Sequence, residues 1–580
     1  MSIVGTPDQV LEAVQIMDPR LTANSAKNRQ YGVFRGANQV TSRISNSTNF
    51  SNSSIIIDAN PPSTGTYIDR KMYVRTTFRI VFTGTSTPGN VLLQAKGMRT
   101  APGVSNGVSY LQSARAYPFS NICANAQIQL GNTLISSNLN SYQRALTRYM
   151  NDTDSQNLDY SLCPSYPDQY FEYASTDPTY LIQFSNRNPL GSSLANTVVS
   201  PRGSFWGCVI TQNTATDAVV EMTVTEPFWL PPCLSHRDDT QLAFIGLQNL
   251  QMVFNLASRS GNIAYGLWSS APDPTLSTIN TINADVISSS GLFQYYTPPL
   301  TQSIPQSLNY SYSEITNYIT RFNDVLAPGQ SQLLQFNAIQ LNSVPDRVYI
   351  YISDADSNFT NETTDTFAVI ESINVTFVNQ DGLLNNMTQE QLYLMSLNNG
   401  CNLSYEQFTD RIGSILCLSW GVNIAVASPL QSPGVRGQFN FSFQIRVKNQ
   451  TRQNINPQIN AVICQAGVLT ISNNNVTRNI GLLNEQDVLN VLDSGAPEMP
   501  YQVSRNVYGG IKWSSIAKFF GKIPGLLRKG TNLLDKVGLS NPYVDLVKQG
   551  LTLSGNGRRK SRRVRGRGML GRDELNDLLE

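Results

Sequence analysis

From residue 54 to residue 472 the chain repeats one pattern. Short runs rich in β-branched and aromatic residues are separated by clusters of Gly, Pro, Asn and Asp. Such runs read as strands, and so many of them with so few helices leave sheet-on-sheet packing as the way to bury the alternating apolar faces. The runs are SIIIDA (54–59), YVRTTFRIVFTG (73–84), AQIQL (126–130), FWGCVIT (205–211), AVVEMTVTEPFWL (218–230) and LQNLQMVFNL (247–256). They continue with LLQFNAIQL (333–341), RVYIYIS (347–353), TFAVIESINVTFV (366–378), GQFNFSFQIRV (437–447) and AVICQAGVLTIS (461–472).

Two helices interrupt the strands, SYQRALTRYM (141–150) and TQEQLYLMSL (388–397), the second with Thr388 and Gln391 spaced as a capping box. Each ends a similar series. Residues 119–150 read strand, turn, short strand, helix, and residues 367–395 read the same way at an offset of 367 − 119 = 248. One element order used twice at a domain-sized offset predicts two β sandwiches in tandem, and two unrelated β domains fit the same pattern. A length of 580 residues is enough for two cores. The expected division is an N-terminal arm (1–30), a first sandwich (31–260), a second (261–500) and a tail (501–580). In the arm, Thr6, Pro7 and Gln9 are spaced to open a short helix over Val10, Leu11, Val14 and Ile16.

Several function classes are set aside by what the residues lack. One histidine, His236, is a poor basis for a hydrolase triad, and no G-x-S-x-G elbow accompanies it. There is no G-x-x-x-x-G-K-[ST] loop, and the G-x-G-x-x-G match within 566–571 follows arginines rather than a strand. No two of the seven cysteines are closer than sixteen residues, which removes zinc-ligand spacing. The segment SDADSN (353–358) offers Asp354 and Asp356 but neither the Gly nor the distal Glu of a calcium loop. The expectation is no enzyme, no cofactor and no metal. Residues 1–20 lack the pattern of a signal peptide, and the thiols are expected as small buried hydrophobes in a reducing compartment. EPFWLPPCL (226–234) is read as a rigid exit from a strand, with an aromatic interface anchor as the other reading.

Only 14% of the residues are charged and the net charge is +2, yet that balance conceals an asymmetry. Residues 511–580 hold fifteen Lys or Arg and six Asp or Glu, a net of +9, so residues 1–510 carry +2 − 9 = −7. Within the tail, Trp513, Ile516, Phe519, Phe520 and Ile523 fall on one helical face with Lys518 and Lys522 opposite, a pattern suited to a partner surface or a membrane. Further on, Arg558, Arg559, Lys560, Arg562, Arg563, Arg565 and Arg567 make seven basic residues in ten positions. That density suits phosphate neutralisation, and a nuclear-import signal or a solvated run would look the same.

The stretches NPPSTGTYIDRKMYV (60–74), RAYPFSNICANAQIQLGN (115–132), EPFWLPPCL (226–234) and TRFNDVLAPGQSQLLQFNAIQLNSVPDRVYIYI (320–352) resemble the major capsid proteins of virophages and Polinton-like viruses. The resemblance implies a double jelly roll, three chains in a pseudo-hexagonal capsomer, and an icosahedral shell of a virion assembled inside the host cell. It implies as neighbours other copies of the chain, minor capsid or penton proteins, viral DNA met by the tail, and a maturation cysteine protease. That protease type favours (Met/Ile/Leu)-x-Gly-x before Gly, which Leu553, Ser554, Gly555, Asn556 and Gly557 match, with a cut between Asn556 and Gly557. It also favours (Met/Ile/Leu)-x-Gly-Gly; Val507, Tyr508, Gly509 and Gly510 depart from this only at Val507 and suggest a cut between Gly510 and Ile511. The competing reading of the same β body is a receptor- or glycan-binding viral surface protein.

Overall fold

In the computed structural model the described residues run from 39 to 493, except 62–64, 94–98, 106–113, 151–164, 167–203, 234–242, 257–276, 299–306, 356–366 and a few isolated positions. The part up to Leu489 belongs to one compact unit.

The first half contains β1 (Gln39–Phe50), β2 (Ser54–Asp58), β3 (Tyr73–Ser86), β4 (Cys123–Leu130), β5 (Thr133–Ser137), β6 (Cys208–Asn213), β7 (Asp217–Pro227), β8 (Leu250–Leu256) and β9 (Ser277–Thr297). A short helix α1 (Pro118–Ile122) precedes β4, and α2 (Leu139–Met150) follows β5. The second half contains β10 (Ser307–Arg321), β11 (Ser331–Ser343), β12 (Arg347–Asp354), β13 (Val369–Phe377), β14 (Gln380–Leu383), β15 (Ile415–Ser419), β16 (Arg436–Lys448), β17 (Pro457–Ser472) and β18 (Asn475–Ile480). Its helices are α3 (Gln389–Asn398) and α4 (Glu485–Asp493).

The two halves share one strand plan. In the first, antiparallel pairing runs β1-β9-β3-β7, with β6 added beyond β7, and β2-β8-β4-β5. In the second it runs β10-β17-β12-β15 and β11-β16-β13-β14. Leaving out β6 and β18, each half places its strands in the order first-eighth-third-sixth in one series and second-seventh-fourth-fifth in the other, the two series of the first half being joined where the end of β1 pairs with β2. That is jelly-roll connectivity, present twice. The repeated strand, strand, helix series appears as β4-β5-α2 and β13-β14-α3, their first elements starting 369 − 123 = 246 residues apart.

Sequence pattern explains the layers. Along β16, Phe439, Phe441, Phe443, Ile445 and Val447 are buried while the residues between them face out, the period of two expected of a sheet covered on one side. Their inner faces meet Trp420, Phe377 and Phe336: Trp420 lies 5.3 Å from Phe441 and 5.8 Å from Phe377, and Phe336 stacks on Phe443 at 4.5 Å. The capping box of α3 is formed, with the Gln391 N–H donating to Thr388 Oγ1 and the Thr388 N–H donating to Gln391 Oε1.

Strand β9 lies beyond the expected boundary at 260, yet it pairs along most of its length with β3 and at its end with β1. Its sequence, STINTINADVISSSGLFQYYT, is too rich in Ser, Thr and Asn to show strand alternation, so the pairing partner rather than the local pattern determines its conformation. The short N-terminal helix expected at 10–16 lies outside the described residues. Replacing Phe441 with Ala should cost about 3–5 kcal/mol, because the ring is fully buried among other aromatics. Urea unfolding of the full chain measures it, and a loss under about 1 kcal/mol would mean that this core is loosely packed.

Candidate assembly surface at the junction of the sandwiches

The two sandwiches meet through side chains that carry hydrogen bonds rather than through a plain apolar seam. Helix α2, from the first half, lies on the outer face of the β10-β17-β12-β15 sheet. Tyr149 meets Tyr349 edge to face with ring centroids 4.9 Å apart, and its hydroxyl donates to the Ile415 carbonyl. Burial holds the Tyr149 phenol well above its ordinary pKa, so it stays a donor. Tyr351 donates to the Ser141 carbonyl, and the Arg148 carbonyl accepts from the Asn402 N–H at 2.9 Å. The Arg148 guanidinium sits 5.5 Å from the Phe367 ring centroid.

A second contact is made by the tip of the β17–β18 hairpin. Asn474, at φ 65°, donates its N–H to the Gly246 carbonyl at 2.7 Å, while its side-chain oxygen accepts from Gln248 N at 2.8 Å and Asn249 N at 3.3 Å. Val476 N donates to Asn132 Oδ1 at 2.8 Å, and Thr133 Oγ1 donates to the Val476 carbonyl. Gly131 is required here: its φ is +55° and a Cβ would stand 2.2 Å from the Asn474 carbonyl oxygen.

A third contact centres on Arg70, which is 3% exposed. Its guanidinium donates to the Pro232 carbonyl from Nε at 2.8 Å and Nη2 at 2.6 Å, and lies 5.4 Å and 5.8 Å from the ring centroids of Phe244 and Tyr310. Tyr310 belongs to the second half, and its hydroxyl accepts from Ile245 N and donates to the Ala243 carbonyl in the first. The segment after β7 is therefore architectural: Phe228 and Cys233 are buried, and Phe228 packs 5.4 Å from Phe254.

The buried carboxyl of Glu226 at the end of β7 has the look of an acid–base group, and its surroundings argue for a cap. It accepts from Phe119 N at 2.8 Å, Ser120 N at 3.0 Å and Ser120 Oγ at 2.6 Å, holding the first turn of α1. Burial pushes its pKa up to about 7 against the pull of those three donors. Six of the cysteines (Cys123, Cys208, Cys233, Cys401, Cys417 and Cys464) are free and buried, and burial raises the thiols of Cys123, Cys208, Cys233, Cys417 and Cys464. Asp354 is buried and accepts from the N–H groups of Ala355 and Asn456, a structural role. Among the described residues no group of three or more His, Cys, Asp or Glu could hold a metal.

His236, Cys163 and Asp356 lie outside the described residues. So do the candidate cleavage positions Gly510, Ile511, Asn556 and Gly557, the apolar residues Trp513, Ile516, Phe519, Phe520 and Ile523, and the basic run from Arg558 to Arg567.

Residues 10–296 match the family described as Sputnik virophage major capsid protein 1st domain, a match that ends one residue before the end of β9. Residues 315–412 and 406–467 match the major capsid protein V20 C-terminal domain. The putative capsid protein V20 of Sputnik virophage is 30% identical over 559 residues, covering 90% of this chain and 88% of that protein. The chain belongs to the virophage major capsid protein family. The cryo-EM structure of the Sputnik virophage superposes with a TM-score of 0.69 at 27% identity, covering 86% of this chain and 98% of that one. The mavirus major capsid protein has the same fold, with a TM-score of 0.60 at 13% identity over 86% of this chain and 99% of that one. As a virophage major capsid protein, the chain is a non-enzymatic component of the virion shell that self-assembles into the capsid lattice.

The sequence marked the junction only through local features: the Gly131-Asn132 turn, the 141–150 helix that carries Tyr149, and the rigid exit 226–234 that carries Pro232. Gly131→Ala should destabilise the chain by more than Gly329→Ala. Both glycines have positive φ, which costs an alanine about 1–2 kcal/mol, but at Gly329 a Cβ meets nothing within 4 Å. Equal losses in urea unfolding would show that the hairpin tip yields freely. For Glu226, a pKa raised in the folded state means that its contribution is fully present below about 4.5 and lost as the pH rises through about 7. Wild type should therefore lose unfolding free energy relative to Glu226→Gln between these pH values, by on the order of 3 kcal/mol, as read by urea unfolding at each pH. A gain over the same interval would show that the three donors outweigh burial.

Proposed function

We propose that three copies of this capsid protein associate as a pseudo-hexagonal capsomer that tiles an icosahedral shell. The observation that carries this reading is the double use of one strand plan in a single chain: three chains supply six equivalent sandwiches, enough for a six-cornered outline. The division between the sandwiches falls in the connection from Thr297 to Ser307. A junction built from buried hydrogen bonds supports use of the pair as one block, since buried polar groups are satisfied in one geometry and left without partners in others.

The tail has a separate role. Its basic run, Arg558 to Arg567, suits contact with the viral DNA, and the apolar face from Trp513 to Ile523 suits a membrane or another shell protein during assembly. Cuts by a viral cysteine protease after Gly510 and after Asn556 would release these segments at maturation, and minor capsid or penton proteins fill positions that the capsomer cannot.

Light scattering of residues 1–510, followed by negative-stain imaging, should give three times the monomer mass and a hexagonal outline. A monomer for both 1–510 and the full chain would overturn the capsomer reading. Mass spectrometry of peptide ends from particles should find termini at Ile511 or Gly557, and intact Glu580 in every copy would remove the maturation step.

A further inference from the structure

The second strand of each sandwich has a different neighbour on its outer side. In the first half that strand is β2, and the end of β1 closes it: Ser47 pairs with Ile57, Asn49 with Ile56 and Phe50 with Ile55. In the second half it is β11, which among the described strands pairs only with β16. There the chain leaves β10 by another route, along residues 449–457. The Phe322 N–H donates to the Pro457 carbonyl, Leu326 and Ile455 each donate to the other's carbonyl, and the Gly329 N–H donates to the Asn449 carbonyl. Neither β10 nor the connection after it closes β11 as β1 closes β2.

Strand β11 also lacks the charges and prolines that discourage pairing at an edge. Among the described residues, the other strands at sheet ends have five residues or fewer or, like β10, carry charges, here Glu314 and Arg321. The thirteen residues of β11 include no charge and no proline, and Leu333 is 62% exposed. Two register shifts against β16 bend the strand without closing its outer edge. A long uncharged edge of this kind is a template for an incoming strand, which gains affinity from backbone hydrogen bonds.

We propose that the edge of β11 is closed by the N-terminal arm of a neighbouring copy, through residues 31–35. Thirty-eight residues precede Gln39, the first of β1, and the strand-forming side chains Tyr31, Val33 and Phe34 stand close before it, between Arg29 and Gly36. Their distance along the chain from Gln39 gives a reach of at most about 28 Å, so donor and acceptor are adjacent copies. The chain's own arm is poorly placed to serve. The second sandwich turns its β10-β17-β12-β15 sheet towards the first half through α2, and β11 belongs to the opposite sheet. Self-assembly of the chain is all that this contact requires, and it is independent of the number of copies in a capsomer.

The test uses the full chain, with sedimentation velocity to establish its oligomeric state, thermal melting as a check of the fold, and hydrogen exchange read by mass spectrometry. In the assembled wild type, peptides covering residues 331–343 should exchange at least about tenfold more slowly than in the dilute monomer. Tyr31→Pro with Val33→Pro removes two N–H donors from the arm and should return those peptides to the monomer rate at unchanged melting temperature. A chain with Gln340→Cys, mixed before assembly with a chain carrying Val33→Cys, should form a cross-linked pair with a bis-maleimide, and neither chain alone should. Protection of β11 that survives the Pro variant would overturn the arm exchange. So would a chain carrying both cysteines that cross-links only within itself. Trimers whose β11 exchanges as fast as in the monomer would overturn the exchange and leave the three-copy reading standing. Oligomers of another size, with β11 protected and the mixed pair cross-linked, would overturn the count and support the exchange. A monomeric wild type would overturn both.

Discussion

The arrangement of this chain depends on a sheet that is buried from both sides. The β10-β17-β12-β15 sheet packs its inner face on the core of the second sandwich, where Val348, Ile350 and Ile352 join Leu416 and Leu418. Its outer face is covered by α2 from the first sandwich and, at β15, by the end of α3, where Ser396 and Asn399 bond the Cys417 backbone. A β sheet in a free-standing sandwich needs only one covered face. Covering both fixes the position of the first half on the second, and the Asn474 hairpin tip and the Arg70 cluster then act at places whose separation is already set.

The sequence reading succeeded where burial is one-sided or the local chemistry is strong. β16 and β8 alternate with a period of two, the α3 capping box is formed by the residues that suggested it, and β4-β5-α2 and β13-β14-α3 repeat as read. It missed β1, β9 and β10, which are rich in Ser, Thr and Asn and lack a clear apolar alternation; Thr76 of β3 and Ser289 of β9 bond across strands at 3.0 Å. It also missed β15, five residues buried on both faces and therefore without any alternation to detect. An expected boundary at 260 separates β9 from β3 and β1, the strands it pairs with.

The junction was illegible for a different reason. Asn474 contacts Gly246, Gln248 and Asn249 across more than 220 positions of chain, and Tyr310 meets Arg70 across 310 − 70 = 240. No local period encodes such pairs. Gly131 left a local trace, since a Gly-Asn step between short strands signals a turn, but a turn signal does not say what approaches it.

The low charge content fits a chain whose surfaces exchange water for protein. Burying a charge costs several kcal/mol unless it is paired, whereas an amide or hydroxyl needs only a hydrogen-bond partner. The 13 residues of β11, on the edge of their sheet, include no charged side chain and leave Leu333 62% exposed. On a protein that remains single in solution such an edge invites unwanted pairing. On a shell protein the same composition lets a face be wet in the free chain and covered in the lattice at small cost.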